Sequence, residues 1–490
     1  MAVGWTVRRS SYFDSIALMR VAERARDVAG VIDVAAVMGT PANRAMLAEA
    51  GLSSPDAPET GPSDLVVAVR ATSDEAVQQA LLRVGELLAA RRAADVTAAA
   101  RAPRTTWSAT RAAGAPGVAL IAVPGPDAVV DAHQAISAGL HVFLFSDGVP
   151  LADEVALKRR ARARDLLVMG PECGTAIVGG VGLGFANRVR RGAVGVVGAS
   201  GTGIQELTTL IHRRGGGIAH AIGTGGRDLH AAVGGITTRQ ALALLGADAD
   251  TRVVVVVSKP PSREVADEVL AAAAATGKPV VACLLGYDGA MPARVRAAAT
   301  LDEAADAAMA LAGGPRAEPE TPRARAAAAT GGALHALYTG GTLCEEARRL
   351  VGDGPGRCFV DFGSEEYTRG RAHPIIDPAQ RHAALLASAA DADVAVILLD
   401  VVIGDCAHPD PAGALAPVLT EARAAAGRGG REVIVVAHVV GTELDRQDLG
   451  RQERVLTDHG VIVCPSNRVA ALTARELAAP RRSPAADARR

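Results

Sequence analysis

The sequence predicts an α/β protein: doubly wound parallel-sheet domains behind a small N-terminal α+β module of ferredoxin-like type. Two observations carry this expectation. From Val118 onward, short β-branched runs that stop at Gly or Pro alternate with helical stretches, the rhythm of a parallel sheet with crossover helices. Composition agrees: 49% of the 490 residues are hydrophobic but only 2% are aromatic, so cores must be built from Val, Leu, Ile and Ala, as in sheets covered by Ala-rich helices. Three or four domains are expected at this length.

The elements follow in order. "GWTVRRSSY", "VIDVAAVMG" and "DLVVAVRA" are candidate strands of the N-terminal module. Asp14 or Ser15 can cap the helix "SIALMRVAERARDVAG", and Ser73 the helix "DEAVQQALLRVGELLAARR". "ADVTAAARAPRTTWSATRAAGAPG" reads as an Ala/Arg/Pro-rich linker. "VALIAVPG", "HVFLFSDGVP" and "LLVMGPECG" are strands separated by two helices. A second unit begins at Ala193 and includes "IAHAIGTGGRD", "TRVVVVVSKPPS" and "KPVVACLLG"; after the linker "AGGPRAEPETPRARAAAATGG", a third runs from "ALHALYTGGTLCEEA" to "GVIVCPSN". "VVGASGTGIQEL" and "ALYTGGTLCEEA" read as an internal repeat: strand, small-residue turn, helix.

Bulk properties exclude several classes. With 52 basic and 53 acidic residues, nothing argues for nucleic acid or a membrane surface. No apolar run approaches the ~20 residues of a spanning helix, and the opening "MAVGWTVRRSSYFDSIALMRV" has no apolar signal core, so a cytoplasmic location is expected. Cys173, Cys283, Cys344, Cys358, Cys406 and Cys464 form no CxxC pair, which fits a reducing compartment and neither disulfides nor zinc. His408-x-Asp410 lacks a third ligand at suitable spacing, so no metal site is expected; Cys173 is read as a packing residue, and His212 and His220 as packing or solvent-facing.

Ligands of open parallel sheets sit beyond the carboxyl ends of the strands. At Ser200-Gly201-Thr202-Gly203 a helix starts with unpaired, positively polarised N–H groups, which suit a phosphate or carboxylate. Capping and close packing would explain the same residues. No Gly-Lys-Ser/Thr ending makes it a nucleotide P-loop, and no GxGxxG with a distant acid makes it an NAD site. Thr339-Gly340-Gly341-Thr342 is a second such start. Gly225-Gly226-Arg227 adds a guanidinium suited to a carboxylate or phosphate. "DFGSEEYTRGRAHP", with Asp361, Arg371 and His373, and "DVVIGDCAHPDP", with Asp400, Asp405, His408 and Asp410, are loops dense in ionisable groups.

"MGPECGTAI", "VGVVGASGTGIQE", "GTGGRDL" and "DFGSEEYTRGRAHPIID" resemble the FdrA family, related to both subunits of succinyl-CoA synthetase and to other NDP-forming acyl-CoA ligases. The likeness covers about residues 5 to 475. It implies an N-terminal module (1–95), a truncated Rossmann-like CoA-binding-type domain (115–190), two flavodoxin-like ligase domains (191–312 and 333–476), a linker (313–332) and a tail (477–490). In the ligases, helices matching the starts at Ser200 and Thr339 face each other across a phosphorylated histidine. Here the matching stretch "LLGYDGAMPARVRAAAT" has no histidine, and Lys259 stands near where an orienting glutamate is expected. The CoA fingerprint is not visible, so no cofactor is assigned and CoA stays open. An ATP-grasp domain is absent too, so nucleotide would have to bind a companion subunit.

By resemblance the chain is expected to be a subunit of an oxamate carbamoyltransferase, exchanging carbamoyl phosphate plus oxamate with oxalurate plus phosphate. Companion subunits and self-association are expected with it. Ser200, Gly201, Thr202, Gly340, Gly341 and Thr342 would hold phosphate; Arg227 with Gly225 and Gly226, or Arg371, the acceptor carboxylate; Lys259 or His373 would assist proton movement or charge neutralisation. The alternatives are an NDP-forming acyl-CoA ligase and a non-catalytic scaffold or regulatory subunit.

Overall fold

A computed structural model describes residues 1–52, 59–98, 103, 105–113, 117–314 and 331–479. Most of the second linker and the tail therefore lie outside the described residues. Among the described residues no helix is long and apolar enough to cross a membrane.

The N-terminal module is a three-stranded antiparallel sheet, with Leu65–Ala71 between Ala2–Arg8 and Val31–Met38. Asp14 caps the helix Ser15–Ala25, and Ser73 accepts from the Ala76 N–H at the start of Asp74–Ala98. An additional helix, Pro41–Glu49, is capped by Thr40 and was not read from the sequence. The first linker is largely helical instead: Asp74–Ala98 runs into it and Thr106–Ala113 lies inside it. Its Ala-rich composition favours helix, and Pro103 falls between the two helices. Next comes a small parallel sheet of Val118–Ile121, His141–Leu144 and Val168–Met169.

The two larger units share one topology. In the first, the parallel strands are ordered Ile218–Gly223, Arg191–Ala199, Val253–Ser258, Val280–Leu284, Val295–Ala297. In the second they are ordered Arg357–Asp361, Ala333–Tyr338, Val394–Val402, Ile434–Val440, Ile462–Cys464. Numbered within each unit, both orders read 2-1-3-4-5, the flavodoxin-like arrangement with its switch point beside the first strand. The hairpin Thr175–Val178/Val181–Gly184 extends the first sheet along Ile218–Gly223. The internal repeat seen in the sequence is thus a repeat of whole units.

The units join through a shared helical layer. Gly201–Arg213 and Leu301–Leu311 of the first, and Gly341–Val351 and Asn467–Ala478 of the second, pack between the sheets in one apolar core. Strand Val253–Ser258 shows the pattern: Val253, Val255 and Val257 face this layer, while Val254 and Val256 face the outer helices. A continuous apolar run is what burial on both faces requires. Small residues such as Ala304, Ala305, Ala308, Ala470, Ala471 and Ala474 let the four helices approach closely.

The layer is pinned by reciprocal caps. Glu206 and Glu346 occupy the same place in the repeated helices. Glu206 Oε1 accepts from the Asn467 N–H at 3.1 Å, and Glu346 Oε1 from the Leu301 N–H at 2.7 Å. Each glutamate therefore caps the last helix of the opposite unit. Burial opposes the charge of Glu206, but His438 Nε2 at 2.8 Å holds its carboxyl below the ordinary value. Glu346 has no cation against it, and burial pushes it up to about 7.

Candidate functional site

The two glycine-rich helix starts meet. Ser200 Oγ and Thr342 Oγ1 share a hydrogen bond of 2.6 Å. Two glycines permit this approach. A Cβ on Gly340 would lie 2.9 Å from the Thr202 side chain, and one on Gly203 only 2.2 Å from Ser200 Oγ and 3.0 Å from Thr342 Cγ2. Both starts open on one cavity of about 710 Å³, lined among others by Ser200, Gly201, Thr202, Lys259, Gly341, Thr342, Asp361, Arg371 and His373. Residues of the N-terminal module, including Leu18, Met19 and Met46, form part of its wall.

Which donors remain free differs from the expectation. The Ser200 side chain caps its own helix by accepting from the Gly203 N–H at 2.9 Å, and both its hydroxyl and that of Thr342 are buried in the mutual bond. Each hydroxyl therefore has a partner within the protein, and both residues still line the cavity. Gly340 is also committed, because Asp400 accepts from the N–H groups of Thr339 and Gly340 and from the Thr339 hydroxyl at 2.7–2.9 Å. Asp400 is in turn held by the buried Arg381 guanidinium. No local signal points to this role for Asp400, which lies 60 to 61 residues from Gly340 and Thr339. What the ends leave are the N–H groups of Gly201 and Thr202 on one helix and of Gly341 and Thr342 on the other, where Gly340 has no side chain to cap them.

Charge is supplied by Lys259, at the end of strand Val253–Ser258. Its Nζ lies 3.7 Å from Asp361 Oδ2, and it is 45% exposed against 22% for Asp361. A Cβ on Gly341 would fall 2.3 Å from both of these atoms, so ammonium and carboxylate stand directly over the second helix start. Burial pushes the Asp361 carboxyl up, with Lys259 and the Gly363 N–H opposing.

His373 reaches the cavity against Phe185, with ring centroids 5.4 Å apart. Burial, helped by Lys259, lowers its pKa to about 4, so it is neutral near pH 7. Its Nδ1 accepts from the Ile375 N–H at 3.2 Å, which assigns the ring proton to Nε2. His373 is thus a neutral donor rather than a proton acceptor. Arg371 lines the cavity within hydrogen-bond reach of the Gln380 carboxamide.

Other expected residues have structural partners. Arg227 donates to Glu154 Oε2 at 3.0 Å and to the Val149 carbonyl at 2.8 Å, so its guanidinium braces the start of the helix Leu151–Arg162. Gly225 and Gly226 do line the cavity, but Gly225 has φ +87° and a Cβ there would sit 2.4 Å from the Pro171 carbonyl oxygen, which explains the glycine by packing. Asp410 caps Pro411–Arg428, His408 Nε2 faces Glu23 at 3.4 Å, and Asp405 pairs with Arg188, so the second ionisable loop is structural. The Cys173 thiol is buried and pushed up to about 12. Among the described residues no group of three or more His, Cys, Asp or Glu is placed to hold a metal ion.

Comparison with known proteins fits this geometry. Residues 337–477 match the CoA-ligase family, 189–286 the CoA binding domain, and 1–103 the heavy metal-associated domain of AllF. The CoA binding match falls on the first of the two 2-1-3-4-5 units, whereas the sequence reading placed a CoA-binding-type domain before it. Residues 1–103 contain neither Cys nor His, so thiolate or imidazole ligands are absent from that stretch. The chain is 37% identical to the uncharacterized protein YahF of Escherichia coli (strain K12), over 97% of this chain and 98% of that one. It is 29% identical to the alpha subunit of an ADP-forming succinate–CoA ligase of Aquifex aeolicus (strain VF5), over 32% of this chain and 51% of the relative. Among solved structures, a dinucleotide-forming acetyl-coenzyme A synthetase 1 of Ca. Korarchaeum cryptofilum is similar, at 15% identity and TM-score 0.34 over 74% of this chain and 82% of that one. The chain belongs to the YahF family: it carries CoA-binding and CoA-ligase domains behind its N-terminal module and is related to the succinyl-CoA ligase alpha subunit, the kinship that its FdrA-like motifs imply.

Proposed function

We propose that this chain is a subunit of an acyl-phosphate transferase, with carbamoyl phosphate as donor and oxamate as acceptor, giving oxalurate and phosphate. The observation that carries the reading is the meeting of two helix starts and Lys259 on one cavity. Phosphate, the leaving group, would be held by the N–H groups of Gly201, Thr202, Gly341 and Thr342 and by the Lys259 ammonium. Donors aimed at developing charge in such a site contribute roughly 10²–10³-fold each. His373 would donate from Nε2 to an oxygen of the acyl phosphate, and Arg371 would hold the acceptor carboxylate. A cavity of about 710 Å³ has room for both substrates. Companion subunits and self-association are part of the proposal.

Kinship with ADP-forming CoA ligases favours a second reading, an acyl-CoA ligase that passes phosphate through a histidine. Against it stands the protonation of His373: with Nδ1 accepting from Ile375, Nε2 has no in-plane lone pair to attack phosphorus. One experiment separates the two. The chain, co-purified with its companion subunits, is given carbamoyl phosphate and oxamate, and in parallel ATP labelled on its terminal phosphate. Oxamate-dependent phosphate release without acid-labile labelling supports the transferase. Stable labelling that disappears in His373→Asn supports the ligase and overturns the transferase.

A further inference from the structure

We propose that Asp361 is the general base of this transfer, taking a proton from the acceptor nitrogen as that nitrogen attacks the acyl carbon; the inference rests on the transferase reading above. Asp361 closes strand Arg357–Asp361, and its Oδ1 is fixed by the Gly363 N–H at 2.9 Å. The other oxygen, Oδ2, stands over Gly341 and faces the Lys259 ammonium at 3.7 Å. A Cβ on Gly363 would lie 2.9 Å from His373 Nε2 and 3.2 Å from Asp361 Oδ1, so the imidazole and the carboxylate flank one point. Donor, base and anion cradle are therefore within one substrate length of each other.

Other carboxylates on the cavity wall are less suited. Asp33 and Asp377 are bound by Arg26. Glu365 is paired with Arg369 at 3.1 Å, and burial opposes the charge of Asp147 and of Glu172, where Arg227 acts against it. The charged and titratable groups facing Asp361 are Lys259, Asp400, Cys344 and His373. Burial and Asp400 raise its proton affinity while Lys259 limits the rise, which suits a group that accepts a proton and returns it in the reverse reaction.

The step balances as follows. The oxamate nitrogen forms a C–N bond to the carbonyl carbon of carbamoyl phosphate. The C–O bond to phosphorus-bound oxygen then breaks, and its electron pair leaves on phosphate. One nitrogen-bound proton passes to Asp361 and from there to solvent or phosphate.

The test compares the native assembly with Asp361→Asn and Asp361→Glu across pH, reading oxamate-dependent phosphate release. Asn keeps an acceptor for the Gly363 N–H, so the loop is retained. In Asp361→Asn, kcat is expected to fall by roughly 10²–10⁴-fold, with KM for carbamoyl phosphate unchanged or lower and the acid limb of the pH profile gone. Asp361→Glu should recover part of the rate together with the limb, and it carries the test alone if the Asn variant does not fold. Native-like kcat in Asp361→Asn, or an acid limb unaltered by either substitution, overturns the assignment. Absence of release by the native assembly overturns the transferase reading itself and the assignment with it.

Discussion

The two helix starts are built from the same sequence pattern but are finished differently. At the first, Ser200 supplies its own cap, and the turn is held by the residue that opens it. At the second, Gly340 stands at the cap position, and a buried carboxylate from another strand, Asp400, fixes the turn from behind. The self-capped end keeps the Gly201 and Thr202 N–H groups open, and a Cβ on Gly201 meets only Thr175 and Gly174. The end capped from behind keeps its forward N–H groups open, and Lys259 and Asp361 gather over it. Repeating a unit thus gives two helix starts on one cavity, while their different finishing leaves the Lys259–Asp361 pair over one of them.

Removing each cap in turn should expose this asymmetry. The largest effect is expected from Asp400→Ala, which leaves Arg381 buried without its partner and frees three donors; a loss of ~3–5 kcal/mol is expected in denaturant unfolding. A loss no larger than that of Ser200→Ala would show the two ends to be equivalent. Next is Gly203→Ala, whose Cβ would fall 2.2 Å from Ser200 Oγ. It should cost ~1–3 kcal/mol through overpacking. Gly201→Ala meets nothing nearer than 3.7 Å and should stay within ~0.5 kcal/mol of native stability. Ser200→Ala should cost ~1 kcal/mol, the value of an N-cap, read as a shift in the unfolding midpoint.

A smaller effect concerns the reciprocal caps. The folded-state pKa of Glu346, about 7, lies above that of an unfolded glutamate. Its stabilising contribution is therefore complete at acid pH and fades as pH rises toward and through 7. Glu206, held below its ordinary value by His438, behaves oppositely and loses its contribution only in acid. The stability of Glu346→Gln relative to native should consequently rise between pH 5 and pH 8, and a flat difference across that range would contradict the assignment.

Much of the fold was legible because it rests on local signals. Apolar strands ending at glycine, Ser and Asp caps, and the echo of "GASGTGIQE" in "YTGGTLCEE" suffice for two related parallel sheets. The cavity was legible too, since strand ends and helix starts are where such sheets bind ligands. Long-range satisfaction of polar groups was not. Arg227 looks like a free guanidinium until Glu154, 73 residues away, is placed against it. The bond between the Ser200 and Thr342 hydroxyls shows only when the two helices are brought tip to tip. Glu206 and Glu346 look like ordinary helical charges, and only the shared helical layer shows that each caps the other unit. Glycines mislead in the same way: Gly203 and Gly340 serve helix contact, while Gly201 and Gly341 face the cavity.

The most direct measurement is calorimetric titration of inorganic phosphate into the native assembly and into Gly201→Asp and Gly341→Asp, with folding of each variant confirmed by its unfolding midpoint. Both substitutions place a negative charge at a helix start, one in each unit. The expected result is one phosphate site per chain, competed by carbamoyl phosphate and weakened by at least about tenfold, ~1.4 kcal/mol, by either substitution. Native affinity in either variant, or two sites that respond separately, would contradict a single anion site shared by the two helix starts.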